Sequence, residues 1–259
     1  MVLSQARAQG SMWKRGQQKW TPVLRPAARK RSGTMPFTLP DLLAFAWFIV
    51  AWAGYAILLE YVPHRREGLN ARMNRYRAVW MRRMLDREMR MVDMQVMAAL
   101  QNGTAFFAST SLFAIGGALT IIRSTDDVLN VVATLPIGIQ TGRVLWEMKA
   151  IGLAVIFVYA FFKFGWSYRL YNYVAILLGA MPPPSEKDTP EAEAHVKRTT
   201  DLFTAAGRHF NHGQRAFFFA LGYLGWFVSP YVFMATTAAV VFVMWWRQFG
   251  SDASKAVDG

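Results

Sequence analysis

Apolar residues gather along the chain into four long runs, each close to the roughly 20 residues a helix needs to cross a bilayer. The first covers about residues 39–61, with Pro40 and Asp41 at its start, where helices favour a proline and an acid. The second, 104–122, holds no charge and is bracketed by Gln101-Asn102-Gly103 and Arg123. The third begins near Val144, covers about 146–168, and has Lys163 and Arg169 toward its far end, where long cations snorkel to headgroups. Its apolar pattern resumes at Leu170 and stops at Pro182-Pro183-Pro184. As one helix, the 38 residues from Val144 to Met181 would reach about 57 Å. That is longer than any bilayer needs, so the helix either projects from the membrane or bends near Gly165 to lay an arm on its surface. The fourth run, 216–246, contains Gly222, Gly225 and Ser229-Pro230, and proline inside a helix kinks it. It predicts a kinked span of about 222–246, or a surface arm to Val228 followed by a span from Pro230. Trp245 and Trp246 close it as interfacial anchors.

Between the first two runs, residues 65–100 carry nine arginines against Glu67, Asp86, Glu88 and Asp93. Leu69, Met73, Tyr76, Trp80 and Met84 recur at three- and four-residue steps and share one helical face. Arg72, Arg75, Arg82, Arg83 and Arg90 fall largely elsewhere. The pattern over 68–100 predicts a basic amphipathic helix lying against a membrane face or against the other helices. A cation near an anionic leaflet contributes about 1 kcal/mol, so these five arginines are candidates for contact with anionic lipid. A partner protein would use the same residues. Asp86, Glu88 and Asp93 read as intrahelical partners of the arginines. A second amphipathic helix follows the linker 182–190, with Asp188 or Thr189 as its cap, Pro190 in its first turn and Val196, Phe203, Ala206 and Phe210 as its stripe.

The expected fold is therefore all-α: four transmembrane helices with two cytoplasmic amphipathic helices. Loop one and the region 165–215 hold 15 Lys and Arg, against 5 on the opposite side (Arg123, Arg143, Lys149, Arg247 and Lys255). Basic residues concentrate on the cytoplasmic side, so both termini are expected outside. Residues 1–34 disturb that count with eight basic residues and no acid. A start at Met35 would remove the conflict, and a transit peptide is the rival reading of the leader. No secretory signal is legible, because the leader has no apolar core. Residues 250–259 form a polar tail.

Composition agrees with a membrane setting. Hydrophobic residues make up 54% and charged ones 17%, with mean hydropathy +0.18, whereas a soluble domain has about 25% charge. Such a chain is neither an ordinary soluble enzyme nor disordered. The absence of cysteine excludes disulfides, thiolate metal sites and a cysteine nucleophile. A net charge of +13 would normally suggest nucleic acid. Here the faces of a bilayer account for the basic residues, and no nucleic-acid partner is expected.

Candidate chemistry is sparse. No phosphate-binding glycine loop is present; Gly116-Gly117 reads as a place where helices approach closely. His209 and His212, three apart, share a helical face and are the weak metal candidates, with no carboxylate to complete a ligand set. No histidine lies deep in a span, which argues against b-type haem; no cofactor is expected. The interfacial ionisable residues are Glu147 and Lys149 on the outer side and Glu60 and Lys163 on the inner side. Lys163 lies 14 residues beyond Lys149, about 21 Å along a helix, which puts Glu60 and Lys163 at similar depth, where they could pair. Ser109-Thr110-Ser111 could hydrogen-bond across helices or line a polar cavity. A membrane enzyme would need His209 or Asp93 as its base, and no catalytic constellation is visible.

Several blocks are similar to a known family. They are 68–77 (GLNARMNRYR), 80–84 (WMRRM), 90–93 (RMVD), 106–111 (FFASTS), 146–149 (WEMK), 159–166 (YAFFKFGW) and 208–211 (RHFN). Over roughly residues 35–249 the chain resembles the bacterial membrane proteins grouped as domain of unknown function family 599. The resemblance implies a polytopic inner-membrane protein and no particular activity. From the residues, the expected role is a non-catalytic inner-membrane protein that assembles or scaffolds a larger membrane complex. The alternative is a small oligomeric transporter or channel for an ion or solute.

Overall fold

The computed structural model describes residues 37–61, 68–134, 142–250 and 256. The basic leader, Met35, His64 and the side chain of Glu60 lie outside the described residues. Among the described residues seven helices run in order: α1 Leu39–Tyr61, α2 Leu69–Arg83, α3 Met91–Arg123, α4 Thr125–Thr134, α5 Arg143–Gly179, α6 Pro190–Leu224 and α7 Pro230–Phe249. Short 3-10 turns occupy Met84–Asp86, Pro184–Glu186 and Gly225–Phe227. The described residues contain no strand. Among the described residues four helices, α1, α3, α5 and α7, are long and apolar enough to cross a membrane.

Local chemistry fixes the helix starts. Thr38 precedes α1; its hydroxyl donates to Asp41 Oδ2 (2.6 Å), while the Asp41 amide donates weakly to the Thr38 hydroxyl (3.4 Å), a reciprocal capping arrangement. Thr189 accepts from the Ala192 amide ahead of Pro190, and Ser229 accepts from the Val232 amide ahead of Pro230. Pro230 thus occupies the first turn of α7, where its missing N–H costs nothing, and it starts a helix instead of kinking one. The fourth span is Pro230–Phe249, and 222–224 belong to α6.

The third run is one unbroken helix through Gly165. α5 has 37 residues, α6 has 35 and α3 has 33, so each is about 50–55 Å long. They pack side by side. Gln101 donates to Asn172 Oδ1 (2.8 Å), and Phe107 stacks on Phe164, so α3 and α5 run antiparallel. His195 meets the Leu177 carbonyl, Ser167 donates to the Ala206 carbonyl, and Lys149 donates to the Trp226 carbonyl, so α5 and α6 also run antiparallel.

Two hydrophobic cores stack along this length. The first joins Phe48 and Tyr55 of α1, Ala118 of α3, Leu153 to Phe164 of α5, Ala216 to Tyr223 of α6, and Phe233 and Met244 of α7. It lies at the level of the spans. The second joins Met81 of α2, Met84, Leu85, Met97 of α3, Leu170 to Leu178 of α5, Met181, and Ala192, Phe203 and Ala206 of α6. It forms a helical head beyond the spans.

This arrangement corrects three expectations. First, residues 68–100 are not one helix. α2 ends at Arg83, a 3-10 turn and a short extended stretch follow, and 91–100 form the head-side end of α3. α2 packs against other helices, one of the two settings expected for it. It stands against α6, from Gly68 beside Gln248 of α7 to Arg82, which pairs with Glu193 at 2.9 Å. Second, the inward face of α2 carries Arg72, Met81 and the half-buried Arg77, whereas Tyr76 of the expected stripe is exposed. Third, α6 is no surface arm. Its C-terminal half passes back through the span-level core, and α7 returns beside α1. Trp47 donates to the Met234 carbonyl and Phe48 packs on Phe233, so α1 and α7 are parallel. Asp41 and Gln248 lie at opposite ends of the helix stack. Arg247 joins the basic head end, which sharpens the charge asymmetry.

A periplasm-active reporter fused after Phe249 is therefore expected to behave like one fused within 185–190, both silent if the head is cytoplasmic. Activity at one site and silence at the other would restore the even number of passes.

Candidate functional site

The most enclosed charged group of the spans lies at the end away from the head, where α6 breaks into the turn Gly225–Phe227. Asp41, in the first turn of α1, is buried; its Oδ1 accepts from Trp226 Nε1 at 2.8 Å. Lys149, nearly two turns into α5 and also buried, donates to the Trp226 carbonyl at 2.7 Å and lies 5.4 Å from the Trp226 ring centre. A carboxylate and an ammonium thus meet through the backbone and ring of one tryptophan. Burial of opposite charges needs this satisfaction, because an unpaired charge in an apolar setting is costly. The turn between α6 and α7 supplies the buried Trp226 carbonyl that makes it possible.

Lys149 is legible in the sequence as an interfacial cation; its partner is not. Asp41 looks like a helix-start acid, and nothing in one sequence says that residue 226 folds back onto it. Glu147, the neighbouring candidate, accepts from Arg143 Nε at 2.8 Å, and Arg143 also holds Asp126 of α4. Lys163 lies over the Tyr159 ring at 5.3 Å. Its expected pairing with Glu60 falls outside the described residues.

The second polar cluster ties the head together. Asp93 is buried in the first turn of α3; its Oδ1 accepts from Trp80 Nε1 (2.6 Å) and from Arg87 (2.5 Å). Arg90 donates to the carbonyls of Met181 (2.7 Å) and Pro182 (2.6 Å), closing the end of α5. Arg77 lies 5.1 Å from the Phe203 ring centre, against Gly207, where a Cβ would meet the guanidinium at 2.7 Å. Burial there pulls the Arg77 guanidinium below its usual value, with Tyr171 acting the other way.

The five candidate arginines accordingly separate. Arg72 is buried and Arg90 serves the fold; Arg75, Arg82 and Arg83 are exposed. Arg82 lies 14 residues beyond Gly68, about 21 Å along α2, whereas leaflet charge is screened within about 8 Å. Asp93, engaged and buried, is not the surface base a membrane enzyme would need.

His209 and His212 do share a face, with ring centres 6.2 Å apart. Among the described residues no group of three or more His, Asp and Glu could hold a metal ion. Gly116 and Gly117 have nothing within 4 Å of a built Cβ, so they are not a close helix contact within this chain. The close approaches are Gly152 against Tyr223 and Gly213 against Phe164. Thr110 and Ser111 donate back to the carbonyls of Phe106 and Phe107 in their own helix, not across helices.

A family model described as "Protein of unknown function, DUF599" matches residues 43–253. No curated protein and no solved structure matches the chain.

Proposed function

The chain belongs to DUF599, a family described only as protein of unknown function, and from that premise we propose that it is a non-catalytic protein of the bacterial inner membrane that assembles or scaffolds a larger membrane complex. The head carries this reading. Met89, just before α3, is 80% exposed, and Met91 and Val92 of α3 are 69% exposed each and Ile176 of α5 66%, all in the part of the chain that extends past the span-level core. Apolar groups in that position, beyond hydrocarbon and outside the head's own core, mark a contact surface. The basic composition of the head favours the cytoplasmic side, with the exposed Arg83 suited to an acidic partner. Only 11% of the apolar window of α3 is buried, against 44% for α5, so α3 is the helix best placed to meet lipid, a partner span or a second copy.

Purification from native membranes in mild detergent, with mass spectrometry of what co-elutes, tests the reading. A stoichiometric partner lost on Met91→Glu and Val92→Glu substitution supports it. A lone protein or homo-oligomer overturns it.

A transporter or channel is the second reading, favoured by the buried Asp41 and Lys149 that meet at Trp226, since ionisable residues within spans mark ion and substrate pathways. Reconstituted vesicles decide it. If Lys149→Met and Lys163→Met both leave every measured flux at the wild-type rate, the pathway has no support.

A further inference from the structure

In the head, a groove of about 610 Å³ opens between α2 and α6. Arg82 meets Glu193 near the start of α6, while Arg77 lies over Phe203 and against Gly207 farther along it, so the two helices run antiparallel. Ala78 and Arg82, four apart, form the α2 wall. Glu193, Ala194, Lys197, Thr200 and Asp201 form the α6 wall and recur at three- and four-residue steps along one ridge. The Thr200 hydroxyl is buried and has no hydrogen-bond partner among the described residues, whereas Thr199 beside it donates to the His195 carbonyl at 2.8 Å. Two ion pairs line the groove, Arg82–Glu193 at 2.9 Å and Lys197–Asp201 at 2.7 Å, with all four side chains 51–78% exposed. Pairs this exposed add little to the fold, so their charges can turn to an incoming partner at small cost.

Both walls are helices whose backbone groups are engaged along their length, so the groove offers side chains and no ladder for an extended strand. A small molecule would be mostly enclosed by its site, and rim side chains this exposed do not enclose one. We propose that the groove receives an amphipathic helix of the partner membrane protein. Glu193, Lys197 and Asp201 alternate in sign at four-residue steps, and Arg82 faces Glu193 from α2. The complementary helix therefore presents a base toward Glu193 or Asp201 and an acid toward Lys197 or Arg82, the kind of flanking charge that sets partner choice between paired helices. Small apolar side chains lie over Ala78 and Ala194, and a polar group reaches Thr200 Oγ1. That a partner exists rests on the scaffolding reading; the groove adds which chemistry the partner brings.

The photo-cross-linker p-benzoylphenylalanine, placed at Ala194 of the full chain and photolysed in native membranes before purification in mild detergent, provides the test. Mass spectrometry reads the cross-linked peptide. The partner is expected to cross-link through a segment with apolar residues at three- and four-residue steps, flanked by acids and bases. The same probe at Glu191, exposed but outside the groove, is expected to give little. Glu193→Lys with Asp201→Lys is expected to weaken partner retention by about tenfold, with only a small change in the unfolding temperature of the isolated chain. Reversing the bases of the cross-linked segment to Glu is expected to recover retention. Thr200→Val removes a hydroxyl that has no partner in the free chain, so it is expected to weaken retention without lowering the unfolding temperature. A partner that co-elutes but does not cross-link at Ala194, or does so equally at Glu191 or through a segment without that pattern, overturns the groove assignment and leaves the scaffolding reading standing. A cross-link to lipid, to a second copy or to residues 250–259 of the same chain overturns it as well. No co-eluting partner overturns both.

Discussion

Asp41→Ala is expected to destabilise the protein by about 3–5 kcal/mol, the cost of breaking a buried charged pair from one side. Trp226 Nε1 and the Thr38 hydroxyl would lose their acceptor together, and Lys149 would stay buried near no carboxylate. Unfolding in mixed micelles with increasing denaturing detergent, read by tryptophan fluorescence, measures the loss. Asp41→Asn separates the contributions, because its amide oxygen can still accept from Trp226 while the charge is gone. It is expected to cost less than the alanine change. Lys149→Met should be milder when combined with Asp41→Asn than in wild type, since the ammonium then has no carboxylate to lose. A coupling of about 0.5–3 kcal/mol is the range for residues in one network. Strictly additive losses would mean that the two charges are held independently and that the corner is not one unit.

The second large effect is expected at Gly213. A Cβ there would meet the Phe164 ring at 2.6 Å, and Phe164 is itself fully buried, stacked on Phe107 and edge-on to Phe210. Between helices in a bilayer there is little hydrophobic driving force, since lipid is as apolar as leucine, so association depends on close packing. Gly213→Ala is expected to cost about 1–3 kcal/mol, the range for overpacking a filled core, and Gly213→Leu to separate α5 from α6. Phe164→Leu should recover part of the loss when added to Gly213→Ala, by giving up the ring that the new methyl strikes. At Gly117, where a built Cβ meets nothing, the same change to alanine is expected to be silent in the monomer. Equal losses at 213 and 117 would refute this account of the packing. A loss at 117 alone would point to a partner helix on α3.

The two sites explain which parts of the protein a single sequence reveals. Lys149 was legible as an interfacial cation because charge in an apolar run is rare and therefore conspicuous. Asp41 was not legible as its partner, because an acid in a first helical turn has an adequate local explanation. The arginines of α2 were legible as a basic, amphipathic surface, but the face was misjudged at Arg72, and Arg77 was not singled out at all. Their guanidinium groups enter the head, and at Arg77 it is Phe203 and the small Gly207 that leave room. Thr189 and Pro190 marked the start of α6 correctly, since a cap and a first-turn proline act over a few residues.

Hydrophobic run length and spacing were enough to establish an all-α membrane protein, the four apolar helices and most of their starts, because burial in lipid and helix capping are decided locally. Only the tertiary structure decided that α6 passes through the span-level core, that residues 41 and 248 lie at opposite ends, and which charges meet. The reason is that α6 carries Arg208, His209, His212, Gln214 and Arg215 in the half that packs into the span-level core. Neighbouring helices, not its own composition, make it stable at that depth, and a helix sheltered by protein need not look apolar enough to face lipid.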